Sequence, residues 1–246
     1  MFDYIILGII QGIFEWLPIS SEGVVAIAGR FLIKGIDSLE TALFLHLGTV
    51  LAVLLYFRKD WLEILTLKNK VLFRFLVIST IISGIIGLIL YNSLIKNMAV
   101  GGGLLLITGF GLLFTAYFHK AKRTADIGFN KLPVITGILQ GLAVIPGFSR
   151  SGATIFGLSL GKLSPAEILK ISYLMSAPVV LMMSLYLFWQ NPVLILETWP
   201  ALIFSFLAGF LTLDFLLRVA GRIDFFRFIL LFALFCFLGA GLEFLI

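Results

Sequence analysis

Apolar runs fall at residues 39–57, 71–91, 98–118, 166–190, 199–218 and 226–246, each close to the ~20 residues an α-helix needs to cross a bilayer. The pattern predicts six membrane-spanning helices. Residues 2–34 and 132–162 differ, because each is two shorter apolar arms separated by a break rich in Pro, Ser and Gly. The breaks read "PISSEG" in the first and "PGFSRSG" in the second. Two short arms joined at a polar break predict a re-entrant helical hairpin.

The basic residues test that reading. The loops after the first, third and fifth spans hold Arg58, Lys59, Lys68, Lys70 and Arg74; Lys120, Lys122, Arg123 and Lys131; and Arg218, Arg222 and Arg227, twelve of the eighteen Lys and Arg. By the positive-inside rule these loops share the cytoplasmic side, and they can do so only if 132–162 enters and leaves by one face. Lys162 and Lys170 then also lie inside, Arg30, Lys34 and Lys96 remain outside, and both termini are outside.

The two broken segments echo each other. At an offset of 129, Gly8, Ile9, Gln11, Gly12, Ser20 and Gly23 match Gly137, Ile138, Gln140, Gly141, Ser149 and Gly152; at 130, Val50, Leu51, Leu55 and Tyr56 match Val180, Leu181, Leu185 and Tyr186. One hairpin and three spans make an odd number of crossings, so the second copy is upside down. The expected fold is an all-α polytopic membrane protein built as an inverted-topology repeat, a single membrane domain over 1–246. Its first repeat covers 1–118, with hairpin 2–34, and its second covers 132–246, with hairpin 132–162. Such repeats set binding sites near the midplane where broken helices meet.

Composition narrows the class: 61% of the 246 residues are hydrophobic, 13% are charged and 25 are Phe, which excludes an ordinary soluble domain. The first apolar stretch has no basic region with a cleavage site and reads as mature structure. Cys236, the single cysteine, reads as a buried small hydrophobe. The net charge of +5 belongs to orientation in the membrane rather than to a nucleic-acid partner, which is discarded. Trp16 and Trp61 are expected at membrane interfaces, Gly101–Gly103 in close helix packing, and Asp214 in a surface pair with Arg218.

Candidate chemistry lies in the breaks. Gln11 and Glu15 are four apart on one helix face, and polar groups at membrane depth mark a site or pathway; the plainer placement of Glu15 is near the outer headgroups. Ser20 and Ser21 stand where serines cap a returning helix. In "PGFSRSGAT", Arg150 is the only basic residue of the two breaks, flanked by Ser149, Ser151, Gly152 and Thr154. A guanidinium at a helix N-terminus suits a phosphate; a structural ion pair with Glu15 or Glu22 is the plainer alternative, and both can hold before substrate binds.

The combination Gln11-Gly12-x-x-Glu15-x-x-Pro18-x-Ser20-Ser21-x-Gly23, "FLHLGTVLAVLLYFRKDW" from Phe44, "PGFSRSGATI" from Pro146 and "LGKLSPAEILKISYLMSAPVV" from Leu160 resembles the undecaprenyl-diphosphatase family, the bacitracin-resistance family of membrane phosphatases. The resemblance covers nearly the whole chain. It implies hydrolysis of a polyprenyl diphosphate to the monophosphate and inorganic phosphate, recycling the lipid carrier of cell-wall glycans and conferring bacitracin resistance, in the cytoplasmic membrane.

Carried over from that resemblance are Glu15 as an essential carboxylate, Ser21 as nucleophile or phosphate ligand, and Arg150 as the phosphate clamp, with Ser20, Ser149, Ser151, Gly152 and Thr154 around the phosphate. A divalent cation, Mg²⁺ or Ca²⁺, is also implied, on Glu15, Gln11 and Glu22. Many members have Glu at Gln11 and His at the position of Val24. The missing imidazole leaves His46, in the outer half of the first span, and Glu22 as candidate bases; His119 reads as a loop residue. Membrane lipid is the other expected partner, a homodimer stays open, and the site is expected to open to the outer face. The rival reading is a polyprenyl-phosphate flippase without hydrolysis.

Overall fold

A computed structural model of the chain describes residues 2–32, 38–93, 106, 109–114, 116–117, 127–145, 148–190, 193–220 and 224–245. Ten helices lie among them: α1 Phe2–Phe14, α2 Ser21–Leu32, α3 Ser38–Tyr56, α4 Arg58–Leu65, α5 Lys70–Ser93, α6 Leu132–Leu142, α7 Arg150–Ser159, α8 Pro165–Gln190, α9 Val193–Ala220 and α10 Phe225–Leu245. No strand occurs among the described residues. The span expected over 98–118 is described only in part, and Lys34, Lys96, Gly101–Gly103, His119, Lys120, Lys122, Arg123, Pro146, Arg222 and the side chain of Arg30 lie outside the described residues.

The stretches 39–57, 71–91, 166–190, 199–218 and 226–246 fall on helices α3, α5, α8, α9 and α10. Among the described residues three stretches, Lys70–Ser93, Pro165–Gln190 and Thr198–Val219, are each long and apolar enough to cross a bilayer. Exposed Ile81, Ile85 and Ile89 on α5, and Leu207, Leu211 and Phe215 on α9, recur every fourth residue and form outward apolar stripes. Such stripes are stable against lipid and costly in water.

Each broken segment is a pair of short helices, α1 with α2 and α6 with α7. Their turns are fixed by the same device: Ser20 Oγ accepts the Gly23 N–H at 3.2 Å, and Ser149 Oγ accepts the Gly152 N–H at 3.1 Å. Each serine satisfies one of the donors a helix start leaves open. The first arm of each pair packs on a long helix of the other half, α1 on α9 and α6 on α5. Matched glycines allow the contact. A Cβ on Gly12 would stand 2.5 Å from Gly209 N and 2.7 Å from Ser205 O, and one on Gly141 would stand 2.7 Å from Ile86 Cβ and 3.1 Å from Ser83 O.

Gly12→Ala therefore forces backbone apart, at a cost of about 1–3 kcal/mol of overpacking. Thermal unfolding in detergent is expected to show a clear drop for Gly12→Ala and little change for Gly111→Ala, whose Cβ would meet nothing within 4 Å.

Two expectations need correction. Trp16 is no interface anchor: its side chain is 0% exposed. Its Nε1–H donates to Gly209 O at 2.7 Å, and its ring meets Tyr173 edge-on at 5.2 Å, because an indole can be buried wherever its one polar group finds an acceptor. The basic loop after the first span also contains a helix, α4. Its sequence RKDWLEIL turns Ile64 into the core while Asp60 pairs with Lys170 at 2.5 Å. That stretch is too short to register as an apolar run. Asp214 does pair with Arg218, at 2.5 Å, and Cys236 is fully buried.

Candidate active site

Glu15 directly follows the last residue of α1, and the structure gathers the chemistry of both breaks around it. Its side chain is 4% exposed, enclosed by residues from both breaks. Gln11 Nε2 donates to Glu15 Oε2 at 2.8 Å from one helical turn earlier, and Ser21 Oγ donates to the same oxygen at 2.8 Å from the first residue of α2. His46 Nε2 reaches it at 3.0 Å from α3. Arg150, the first residue of α7, closes the cluster by a direct ion pair from NH2 to Glu15 Oε1, and its NH1 donates to Ser172 O at 3.3 Å. Glu22 lies behind, with Oε1 3.9 Å from His46 Nε2.

The paired serines divide their labour. Ser20 spends its oxygen on the cap, so it is Ser21 whose hydroxyl turns back across the break to the carboxylate. On the other side Ser149 caps α7, and Ser151 donates to Leu17 O at 2.6 Å. Thr154 donates to Arg150 O at 2.9 Å and lies 2.6 Å from Ser172 Oγ. Ser20, Ser149, Ser151 and Thr154 thus shape and join the two breaks, and Gly152 gives its N–H to the cap. Two residues not anticipated from sequence do similar work: Tyr173 donates to Trp16 O at 3.0 Å, and Ser172 holds Arg150 by its carbonyl. Carbonyls that a broken helix exposes must find such partners where water is scarce.

A small polar cavity of about 10 Å³ is lined by Glu15, Ser20, Ser21, Glu22, His46 and Arg150, room for roughly one water. Beside it lies a cavity of about 310 Å³ that shares Glu22, His46 and Arg150 and is otherwise walled largely by apolar residues such as Leu43, Leu88, Val180 and Met183. The ionisable groups shared with the small cavity thus open onto a largely apolar chamber.

The implied cation can be tested against these donors. Both oxygens of Glu15 are already engaged by hydrogen-bond donors and Arg150. The buried oxygens Gln11 Oε1 and Glu22 Oε2 have no hydrogen-bond partner. No cluster of three or more His, Cys, Asp or Glu side chains forms a metal cage among the described residues. Glu22 lines both cavities and Gln11 lines neither, so of the two residues Glu22 is the one placed to offer an oxygen there to an ion such as Mg²⁺, which keeps waters and takes substrate phosphates as ligands.

Fold and site together define an all-helical, multi-pass membrane protein with a buried carboxylate, hydroxyl and guanidinium cluster beside a largely apolar chamber. The chain belongs to the bacitracin resistance protein BacA family, whose model matches residues 4–240. A protein of Methanococcoides burtonii named undecaprenyl-diphosphatase is 35% identical over 247 residues, 91% of this chain and 92% of that one. One of Haloarcula marismortui with the same name is 35% identical over 246 residues, covering 90% of each chain. Undecaprenyl-diphosphatase 2 of Halalkalibacterium halodurans is 35% identical over 196 residues, 73% of this chain and 70% of its own.

Proposed function

We propose that the protein hydrolyses a polyprenyl diphosphate of the undecaprenyl type to the lipid monophosphate and inorganic phosphate. The observation that carries this reading is the meeting of Ser21, Glu15, His46 and Arg150, drawn from both breaks, beside the apolar chamber. The chamber suits the prenyl tail and the polar cluster suits the diphosphate.

Phosphoryl transfer asks mainly for positioning and for cancellation of negative charge. An entering terminal phosphate competes with Glu15 for Arg150, whose planar fork binds phosphate oxygens in pairs. Drawing Arg150 away frees Glu15, already hydrogen-bonded to Ser21, to take the hydroxyl proton. Ser21 Oγ bonds to the terminal phosphorus as the bridging P–O bond breaks and the lipid monophosphate leaves. Water then attacks the phosphoserine phosphorus as the Oγ–P bond breaks, Glu15 returns its held proton to Ser21 Oγ, and the water's hydrogens leave on the released inorganic phosphate. His46, on the same carboxylate oxygen, holds Glu15 in place and takes the position of an imidazole near the site, with Val24 at the place where relatives of this kind often carry one. Glu22, with waters and the substrate's own phosphates, would hold Mg²⁺ or Ca²⁺, which would supply neutralisation of phosphate charge.

The reading extends to topology. An inverted repeat of two re-entrant hairpins, each followed by three spans, is supported by the twin serine caps and by the reciprocal packing of α1 on α9 and α6 on α5. In that topology both termini lie outside, the membrane is the cytoplasmic one, and the first hairpin opens the site to the outer face. A flippase is disfavoured because a carrier has no use for a serine hydroxyl aimed at a buried carboxylate.

The test is phosphate release from a C55 polyprenyl diphosphate by purified protein in detergent. Release is expected to stop with EDTA, to return with Mg²⁺ or Ca²⁺, and to fall about 10²- to 10⁴-fold in Glu15→Gln, the span for loss of a general base. Folded wild type that moves labelled lipid across a vesicle and releases no phosphate would end the reading.

A further inference from the structure

The large chamber contains one polar station that the mechanism above does not use. Gln140, near the end of α6, is 3% exposed and lines the chamber together with Ser83 of α5. Its Nε2 donates to Ser83 Oγ at 3.2 Å, and its Oε1 is buried with no hydrogen-bond partner. An unpaired amide oxygen in an apolar wall is costly, and a simple tether between α5 and α6 does not require it. The repeat makes the station more pointed. Gln140 corresponds to Gln11, yet the position corresponding to Glu15 is Val144, which lines the same chamber. The second copy keeps the amide and drops the carboxylate, leaving that wall free of negative charge.

Resting on the phosphatase reading, we infer that Gln140 and Ser83 bind the phosphate that stays on the lipid, between the terminal phosphate at Arg150 and the tail in the chamber. The amide has the same outline when rotated by half a turn. In that orientation the Ser83 hydroxyl turns from Thr80 O, to which it donates at 3.2 Å, to donate to Gln140 Oε1, and the amide N–H groups face the chamber as donors to a phosphate oxygen. Glu22 is the acidic group lining the chamber, and His46 and Arg150 line it as well, offsetting that charge. Gln140 is thus a specificity residue that recognises the product's phosphate, whereas Arg150 recognises the phosphate that is cut off.

The experiment measures KM for the polyprenyl diphosphate and inhibition by each product, polyprenyl monophosphate and inorganic phosphate, in wild type, Gln140→Met and Ser83→Ala. Loss of a hydrogen bond to a charged group predicts about a tenfold rise in KM and in the inhibition constant for the lipid monophosphate in Gln140→Met. Ser83→Ala, a smaller change that serves if the methionine variant does not fold, is expected to move both constants in the same direction. Inhibition by inorganic phosphate should stay at its wild-type value. Loss of inhibition by both products in parallel, or a fall in thermal stability with both inhibition constants unmoved, would make the pair a structural tether and overturn the proposal. Wild type that releases no phosphate fails the underlying reading instead, and takes this one with it.

Discussion

Arg150→Ala is expected to reduce phosphate release by about 10³-fold or more, the order found when an arginine that stabilises a phosphoryl-transfer transition state is removed, and Arg150→Lys to restore little of it. The guanidinium meets Glu15 through one nitrogen and the Ser172 carbonyl through another, so its plane is set by two partners on different elements. A lysine ammonium keeps the charge but has no fixed fork with which to span them or to grip two phosphate oxygens. The contrast separates the phosphate clamp from the plainer role of counter-ion to Glu15. A mere counter-ion tolerates lysine, and Arg150→Lys would then keep near wild-type kcat. Alanine alone is ambiguous, since stripping the partner from a buried carboxylate costs about 3–5 kcal/mol. Thermal unfolding is therefore measured beside kcat, with the lysine variant as the folded reference.

How much of this was legible beforehand depends on the contrast between a residue and its surroundings. The spans stood out because apolar runs near 20 residues have one physical use in a membrane chain, and the hairpin arms because Pro, Ser and Gly interrupt them. Glu15 and Arg150 stood out as charges in apolar sequence. Ser20 and Ser21 were equally good caps on paper. Only the turn itself assigns the cap to Ser20 and leaves Ser21 with Glu15. His46 is 25 positions beyond Ser21, inside an ordinary-looking span, and its approach to Glu15 depends on how α3 packs against the hairpin. Trp16 misled because aromatic belts are a surface rule, and its acceptor, Gly209 O, is almost two hundred residues away. Tyr173 serves the Trp16 carbonyl at the first break and Ser172 offers its own carbonyl to Arg150, partnerships that exist only once the two breaks have been brought against α8. Gln140 was visible as an echo of Gln11, but its empty acceptor and its place on the chamber wall required the packing of α6 on α5.

Ser21→Ala is expected to lower kcat about 10²- to 10⁴-fold, the cost of losing a group that takes part in proton transfer in the transition state, with a stability loss of about 1.5–3 kcal/mol from the missing hydrogen bond to Glu15. The neighbouring Ser20→Ala is expected to lose a comparable amount of stability, about 1 kcal/mol from the missing cap, while kcat falls far less. The two hydroxyls are adjacent in sequence and differ in what they touch: Ser20 Oγ is held by the Gly23 N–H, and Ser21 Oγ by the Glu15 carboxylate. If Ser21 only donates a hydrogen bond to a phosphate attacked by water, its removal costs about tenfold, the worth of one hydrogen bond to a charged acceptor. Acid quenching during turnover of substrate labelled at the terminal phosphate gives an independent answer. Label that stays on wild-type protein and is lost in Ser21→Ala marks a phosphoserine. Stereochemistry at phosphorus separates the same two routes, because two in-line displacements through Ser21 retain configuration and one displacement by water inverts it. Glu15 is the base in either route, so Glu15→Gln is silent on the choice, and Ser21 is the residue on which the mechanism turns.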